Sequence, residues 1–434
     1  MDPLAVGGIA ILALLVLLAF GVPVGLAMAT VAAVGLYLEI GPTFLLSTFQ
    51  SLPYSLTSDY TFVVIPMFVL MGVIASHAGI IGDLYTAAYR FMARVKGSLY
   101  MATILAQGCF AAVSGSTVVA SSVFTRMALP EMLRFGYSGG VSAGCIAAAG
   151  TLAGLIPPSI AMVLYAVLAG QPVGQLLIAG ILPGLLTIAA YMVGTRLFLV
   201  ARPEWAPPVA EHFSWRDKFR SLKRIWAIVL LMIIVLGGIY GGIFPPSAAG
   251  AIGAAGALLI ALSMRRISRG QIWDSLKDAA RTTAMIFLIV LGGLLLSRFL
   301  TISGFIGELR ILVIEAELGI YLFLAITVLL FLILGMFIDS VSLLVLTVPF
   351  LFPIAESLGM HPVWFGVIVV KLIEIAAITP PVGLNLYAVL ASTNGQVKSM
   401  ELFKGVGPFI LIDVVVLGLL IAFPAISLWL PMTM

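Results

Sequence analysis

With 434 residues, 62% of them hydrophobic and only 9% charged, the chain is far more apolar than a soluble domain, in which roughly a quarter of residues carry charge. A soluble fold of this composition could not cover its own surface, so the bilayer must be the solvent for most of it. The net charge of +4 is concentrated in a few loops, which bears on orientation in a membrane and gives no reason to invoke nucleic acid.

At roughly 20 residues per spanning helix, the length suits about ten spans. Apolar runs at 4–20 and 24–37 read as the first two. Met1-Asp2-Pro3 is acidic where a signal peptide is basic, so the first run reads as a retained helix, although Ala27-Met28-Ala29 has the form of a cleavage site. The stretch between Glu39 and Tyr60 has no Lys or Arg and is expected outside. A third run covers 62–76. Residues 80–96 then mix Asp83, Arg90, Arg94 and Lys96 with aromatics, which suits an amphipathic helix in the interface. Two apolar pieces split at Ser114-Gly115-Ser116-Thr117 follow, then a helix broken at Pro157-Pro158, then a last span over 176–200. From about 225 the pattern starts again.

The second start is a repeat. Tyr165-Ala-Val-Leu-Ala169 recurs as Tyr387-Ala-Val-Leu-Ala391, Pro157-Pro158 as Pro380-Pro381, Gly79-Ile-Ile-Gly-Asp-Leu84 as Gly304-Phe-Ile-Gly-Glu-Leu309, and Pro23 as Pro246, all at offsets of 222 to 225 positions. Four matches in one order at one offset predict a first repeat over 1–200, a basic loop over 201–224 and a second repeat over 225–434. The loop carries Arg202, Arg216, Lys218, Arg220, Lys223 and Arg224 and is expected in the cytoplasm. Arg265, Arg266, Arg269, Lys277 and Arg281 place a second loop there too, whereas Glu308, Glu315 and Glu317 suit the outside. If the pieces split at Ser114 form a re-entrant hairpin, each repeat has five spans. An odd repeat inverts its successor, and both termini then lie outside. Two full spans per split segment is the alternative, disfavoured by the shortness of the pieces and their polar breaks. The expected fold is thus an all-α polytopic membrane protein of two inverted-topology repeats, with about ten spans, two re-entrant hairpins and helices broken at the midplane.

Inverted repeats with broken helices are the sequence sign of a secondary transporter. A break inside the membrane exposes backbone carbonyls and amides, which survive only in protein or beside a wet cavity. Carbonyls at a half-helix C-terminus suit a cation, and amides at a half-helix N-terminus suit a carboxylate. Four segments fit: the tip Ser114-Gly115-Ser116-Thr117, the tip Asp339-Ser340-Val341-Ser342, the break from Gly150 through Thr151, Gly154, Pro157 and Pro158 to Ser159, and the break Thr379-Pro380-Pro381-Val382-Gly383-Leu384-Asn385. Neutral oxygens with few formal charges suit a hard, weakly held cation such as Na⁺. We therefore pair the first tip with the first break as one ion site and the second tip with the second break as another. A serine in a span can also simply bond its own helix, and a Pro-Pro pair can be a plain kink. Asp339 stands out, because a carboxylate inside the membrane needs a partner or a role. Lys371 and Glu374, one turn apart, either pair with each other or face an anionic substrate. Arg298 reads as a snorkelling residue near the end of its span. Cys109 and Cys145 lie in apolar runs and support neither a disulfide framework nor a thiolate zinc site. His77, His212 and His361 are too scattered to share a site and read as loop or interface residues.

Glu374 followed by Thr379-Pro-Pro-Val-Gly-Leu-Asn385 resembles the C-terminal signature of the large transmembrane, DctM-like subunit of TRAP (tripartite ATP-independent periplasmic) transporters. The Ser114-Gly-Ser tip and Gly154-Leu-Ile-Pro-Pro-Ser159 resemble its N-terminal counterparts, and the resemblance covers nearly the whole chain. It implies an elevator-type importer in the bacterial inner membrane, driven by a Na⁺ gradient. It also implies a separate small four-helix membrane subunit and a periplasmic binding protein that delivers an organic acid such as sialic acid or a C4-dicarboxylate. Tips and breaks would line the sites. Na⁺ falls to Ser114, Gly115, Ser116, Gly150, Thr151, Gly154, Asp339, Ser340, Ser342, Thr379 and Gly383. The substrate falls to Thr117, Pro157, Pro158, Ser159, Lys371, Glu374, Pro380, Pro381 and Asn385. The rival readings are a Na⁺- or H⁺-coupled dicarboxylate carrier that needs no binding protein, a channel, and a membrane-embedded enzyme. The sequence has no Walker motif, no His-Glu-x-x-His and no nucleophile elbow, so catalysis is not expected.

Overall fold

A computed structural model describes residues 2–208, 211 and 213–433; His212 lies outside the described residues. All regular structure among them is helical. The first two runs form α1 (Pro3–Ala19) and α2 (Val24–Glu39), parted at Pro23. Gly41 then turns the chain into α3 (Pro42–Ser58), a helix that hydropathy alone does not announce. Proline opens it, and Ser47, Ser51 and Thr57 return their hydroxyls to carbonyls of its own turns, so these three hydroxyls need no outside partner. Arg298 lays its guanidinium over Phe44 of this helix, 5.2 Å from the ring centroid. After α4 (Val64–His77), Gly79 in the left-handed region opens α5 (Ile80–Met92), the expected amphipathic element, with Ile80, Ile81, Leu84 and Tyr85 turned inward.

Next come α6 (Ser98–Ser114) and α7 (Thr117–Arg134), the pieces joined at the first tip, and α8 (Gly139–Leu155) and α9 (Ile160–Leu168), which flank the first break. The short α10 (Val173–Ala179) leads into α11 (Ile181–Ala201). The basic loop holds α12 (Trp215–Leu222), which starts in a reciprocal cap between Ser214 and Asp217. Asp217 accepts from the Ser214 hydroxyl and backbone, which holds its carboxyl below the usual range. The same order then recurs. Helices α13 (Trp226–Tyr240) and α14 (Pro246–Ser263) precede α15 (Arg269–Ile302), and α16 (Phe305–Glu315) stands where α5 stood. The pair α17 (Ile320–Gly335) and α18 (Ser340–Ser357) meets at the second tip, and α19 (Pro362–Ala377) and α20 (Leu384–Ser392) flank the second break. The described chain closes with α21 (Ser399–Ala422), a single turn, α22 (Ala425–Leu428), and a 3-10 turn over Pro431–Thr433.

Among the described residues, seven segments are long and apolar enough to cross a membrane, and α8 with α9, bent by 43°, makes an eighth. Helices α1 and α2 are apolar but shorter, at 17 and 16 residues, or about 25 Å at 1.5 Å per residue, slightly less than the ~30 Å of hydrocarbon. Leu12, Leu38, Val200, Ile233 and Leu259 are exposed, which in water would invite aggregation and in lipid is matched to the solvent.

Two groups of helices emerge. Helices α1, α2, α4, α13, α14 and α15 pack on one another, while α6 to α9, α11 and α17 to α21 form the body that holds the tips and breaks. Small residues set both seams. A Cβ on Gly292 of α15 would lie 2.1 Å from the Gly25 carbonyl oxygen of α2, and one on Gly144 of α8 would lie 2.6 Å from the Gly405 carbonyl oxygen of α21. Each backbone therefore rests directly on its neighbour, as close crossings in membranes require. On the side of the basic loops, His77 meets Ser275 at 2.7 Å and Arg266 pairs with Asp83, which ties α4 and α5 to the α14–α15 corner.

Candidate functional site

The first tip is shaped by three adjacent residues. Helix α6 ends at Ser114, Gly115 turns the chain at φ +59°, and Ser116 caps α7 by accepting from the Val119 amide at 3.5 Å. The first break is built the same way. Helix α8 stops before the cis Pro157-Pro158 peptide, and the Ser159 hydroxyl both caps α9, accepting from the Met162 amide at 3.1 Å, and donates to the Gly154 carbonyl. Tip and break touch, since a Cβ on Gly115 would fall 2.5 Å from the Pro158 carbonyl oxygen. Two helix C-termini, those of α6 and α8, thus converge. Their dipoles present partial negative charge at one place.

The second tip and break repeat the convergence. Helix α17 ends at Gly335, and a Cβ there would lie 2.2 Å from Cβ of Ala376, in the last turn of α19. Asp339 is half-buried and caps α18, with Oδ1 accepting from the Val341 and Ser342 amides at 3.1 Å each. Thr379 donates to the Ile375 carbonyl at 2.6 Å, and Gly383 (φ +51°) starts α20 after the cis Pro380-Pro381 peptide. The breaks differ in access: Pro157, Pro158 and Ser159 are buried, whereas Thr379 and Pro380 are half-buried and Pro381 is exposed.

Hydrogen bonding divides the predicted residues into two kinds. Ser116, Ser159 and Asp339 cap helices, and Thr151 donates to the Ala148 carbonyl at 2.7 Å. These side chains have local work. Ser114, Ser342 and Asn385 are fully or almost fully buried, and among the described residues their side-chain polar atoms have no partner. A buried polar group costs roughly 1–3 kcal/mol when unsatisfied, so these three carry a cost that the described residues do not offset. Thr117 and Ser340, by contrast, are half-buried at the first turns of α7 and α18.

Lys371 and Glu374 do pair, at 3.4 Å, but a third residue dominates. Asp413 of α21 takes the Lys371 ammonium at 2.7 Å, and its other oxygen accepts from the Tyr191 hydroxyl of α11 at 2.7 Å. Lys371, Asp413 and Tyr191 are wholly buried and Glu374 is 2% exposed. The lysine is therefore enclosed by carboxylates. The free oxygen of Glu374, Oε1, points at Gly154 of α8, where a Cβ would stand 2.6 Å away. This links the second break to the first.

Four residues of this region are new to the site: Tyr191, Asp413, Gln107 and Ser121. Asp413 carries a readable signal, a carboxylate inside an apolar run. Gln107 of α6 and Ser121 of α7 carry none. They approach Gly150, whose Cβ would lie 3.2 Å from Gln107 Oε1 and 2.0 Å from Ser121 Oγ, and neither of those atoms has a partner among the described residues. Among the described residues there is also no cluster of three or more His, Cys, Asp or Glu that could hold a metal ion; the oxygens at the tips and breaks are hydroxyl, amide and carbonyl groups together with the Asp339 and Glu374 carboxyls.

Residues 11–426 match the family model described as the tripartite ATP-independent periplasmic transporter, DctM component. The chain belongs to this family. It is 34% identical over 380 residues to a C4-dicarboxylate TRAP transporter large permease protein of Pseudomonas aeruginosa, covering 87% of this chain and 88% of that one. It is 32% identical to a sialic acid TRAP transporter large permease protein of Vibrio cholerae, covering 96% of each. It is also 32% identical to an isethionate TRAP transporter permease protein, DctMQ, of Oleidesulfovibrio alaskensis, covering 95% of this chain and 64% of that one. Among solved structures, the YdaH transporter of Alcanivorax borkumensis superposes with a TM-score of 0.61 at 15% identity, covering 95% of this chain and 98% of that one. MtrF of Neisseria gonorrhoeae superposes with a TM-score of 0.57 at 12% identity, covering 91% and 85%. DctM-family membership makes the chain a multi-pass transport permease, and the likeness to the solved structures is one of fold.

Proposed function

We propose that the chain is the translocating subunit of a Na⁺-coupled TRAP importer for an organic acid, working by an elevator motion in the inner membrane. The carrying observation is the double convergence of helix C-termini: α6 with α8 at Gly115 and Pro158, and α17 with α19 at Gly335 and Ala376. Two such ends beside the unpartnered hydroxyls of Ser114 and Ser342 suit a monovalent cation. Asn385, also unpartnered, and the exposed side of the second break suit the substrate.

In this reading the two sets of tip and break form the mobile body. Helices α1, α2, α4 and α13 to α15 form the scaffold, with α5 and α16 as arms. The residue spans 1–200 and 225–434 act as inverted repeats, both termini face the periplasm, and the basic loop faces the cytoplasm. Na⁺ stabilises the ordered tips and so favours the state that can cross, which is a population shift. A separate small membrane subunit and a periplasmic binding protein complete the system, as the fused relative's name and the family description suggest.

The test is thermal unfolding of the purified protein in NaCl, KCl and choline chloride at matched ionic strength, beside Ser114→Ala and Ser342→Ala. At 100 times its Kd, an ion that binds only the folded state adds about 2.7 kcal/mol. A rise in Tm specific to Na⁺ and blunted in either variant is expected. Identical curves in all three salts would refute sodium binding by this subunit. Uptake by proteoliposomes without any soluble partner would instead favour a carrier that needs no binding protein.

A further inference from the structure

Helix α12 is built inside out. Its inward residues are polar: Lys218 is 6% exposed and Ser221 1%. Its outward residues are large and apolar, with Trp215 64%, Phe219 57% and Leu222 44% exposed. The spacing i, i+4, i+7 makes one stripe, which Trp226 extends at the start of α13. In water such a helix would turn over. Here it is held in place: Lys218 lies 5.0 Å from the Trp215 ring and 5.8 Å from the Phe91 ring, Arg90 donates to the Asp217 carbonyl at 3.3 Å, and Arg90 also sits over Phe213 at 5.6 Å. The amphipathic α5 is thus the platform on which α12 rides.

A second stripe runs beside the apolar one. Arg216, Arg220 and Lys223 repeat the same spacing, with Arg224 next to them, and all four are exposed. Among the described residues none of them has an ion-pair partner. The only carboxylate of the helix, Asp217, is turned back onto Ser214. An apolar stripe flanked by unpaired cations, in a chain that lives in a bilayer, has one natural complement, hydrocarbon with anionic headgroups beside it. We propose that α12 is a binding site for acidic phospholipid in the leaflet next to the basic loop, with Trp215, Phe219 and Leu222 in the acyl region and Arg216, Arg220 and Lys223 on the headgroup phosphates. The site anchors α5, and through the Arg266–Asp83 pair the α14–α15 corner, to that leaflet. It needs neither sodium coupling nor a partner protein.

The experiment uses the full chain in nanodiscs of phosphatidylcholine with and without phosphatidylglycerol, in which one lipid or the other carries brominated acyl chains. The fluorescence of Trp215 is isolated by subtracting a Trp215→Phe control. Each exposed basic residue contributes roughly a fivefold preference for an anionic surface. Quenching by brominated phosphatidylglycerol should therefore saturate at a much lower lipid fraction than quenching by brominated phosphatidylcholine. That preference should vanish in Arg216→Gln/Arg220→Gln/Lys223→Gln and in high salt. Since all three side chains are exposed, the triple variant keeps the wild-type Tm. Equal quenching by the two lipids would overturn headgroup recognition. Absence of quenching by either would overturn lipid contact altogether and mean that protein covers the face.

Discussion

Replacing Lys371 by Met removes the one cation between two buried carboxylates. The ammonium lies 2.7 Å from Asp413 and 3.4 Å from Glu374, and all three groups are shielded from solvent. At an effective dielectric of about 20, the closer pair alone is worth roughly 6 kcal/mol of attraction, much of it offset by desolvation. Measured losses for breaking a buried pair from one side are about 3–5 kcal/mol. Here the buried Asp413 carboxylate loses its cation with a second carboxyl group, Glu374, beside the same site, so the upper part of that range is expected. At about 2.1 cal/mol/K of unfolding entropy per residue, a chain of 434 residues loses about 1 °C of Tm per kcal/mol, which gives a fall of about 4–5 °C. In a chain whose half-buried Cys109 is replaced by Ala, the fully buried Cys145 of α8 lets a thiol-reactive dye report unfolding directly. Adding Asp413→Asn to the same chain removes the uncompensated buried charge and should recover more than half of the loss. A Lys371→Met protein as stable as wild type, or a double variant no better than the single one, would refute the charge-balance reasoning.

Other substitutions separate the roles of individual groups. Gly115→Ala meets both a left-handed φ of +59° and the Pro158 carbonyl at 2.5 Å, so it should cost about 1–2 kcal/mol and abolish the Na⁺-dependent rise in Tm. Ser342→Ala removes a buried hydroxyl that has no partner among the described residues; its Tm without Na⁺ should equal or exceed wild type, while the Na⁺ concentration for half-maximal stabilisation rises at least tenfold. Asp339→Ala loses the cap of α18 and should cost about 1 kcal/mol in every salt alike. Gly405→Leu drives a side chain into the Gly140 carbonyl, 2.1 Å from the position of its Cβ, and should leave no monodisperse protein after size-exclusion chromatography.

The large features were legible because they depend on local chemistry. Apolar runs, the glycine at each turn and the proline pairs mark elements wherever they occur, and α5 announced itself by its mixed face. Helix α3 did not, because serines and threonines satisfied within their own helix look like a loop in hydropathy. The pairing of the first tip with the first break was readable from residue type. Which of their serines are free was not, because Ser116 and Ser159 differ from Ser114 only in which amide lies within reach. Asp339 drew attention as a carboxylate within the membrane, and the same signal at Asp413 marks the partner of Lys371. Tyr191, Gln107 and Ser121 have meaning only through contacts with distant turns.

The half-helices at the breaks cross over. Helix α9, in the first half of the chain, packs against α18 and α19, while α20 packs back onto α7 and α8. Neither half can therefore be finished alone. The residues that cover α9 leave the ribosome more than 170 positions after it, a delay of roughly 10–35 s at ordinary rates of synthesis. Throughout that interval the half-helix α9 lies in a membrane without the cover that α18 and α19 later give it. The newborn first half is thus a natural client for insertion chaperones, and a truncated chain is a natural target for membrane proteases.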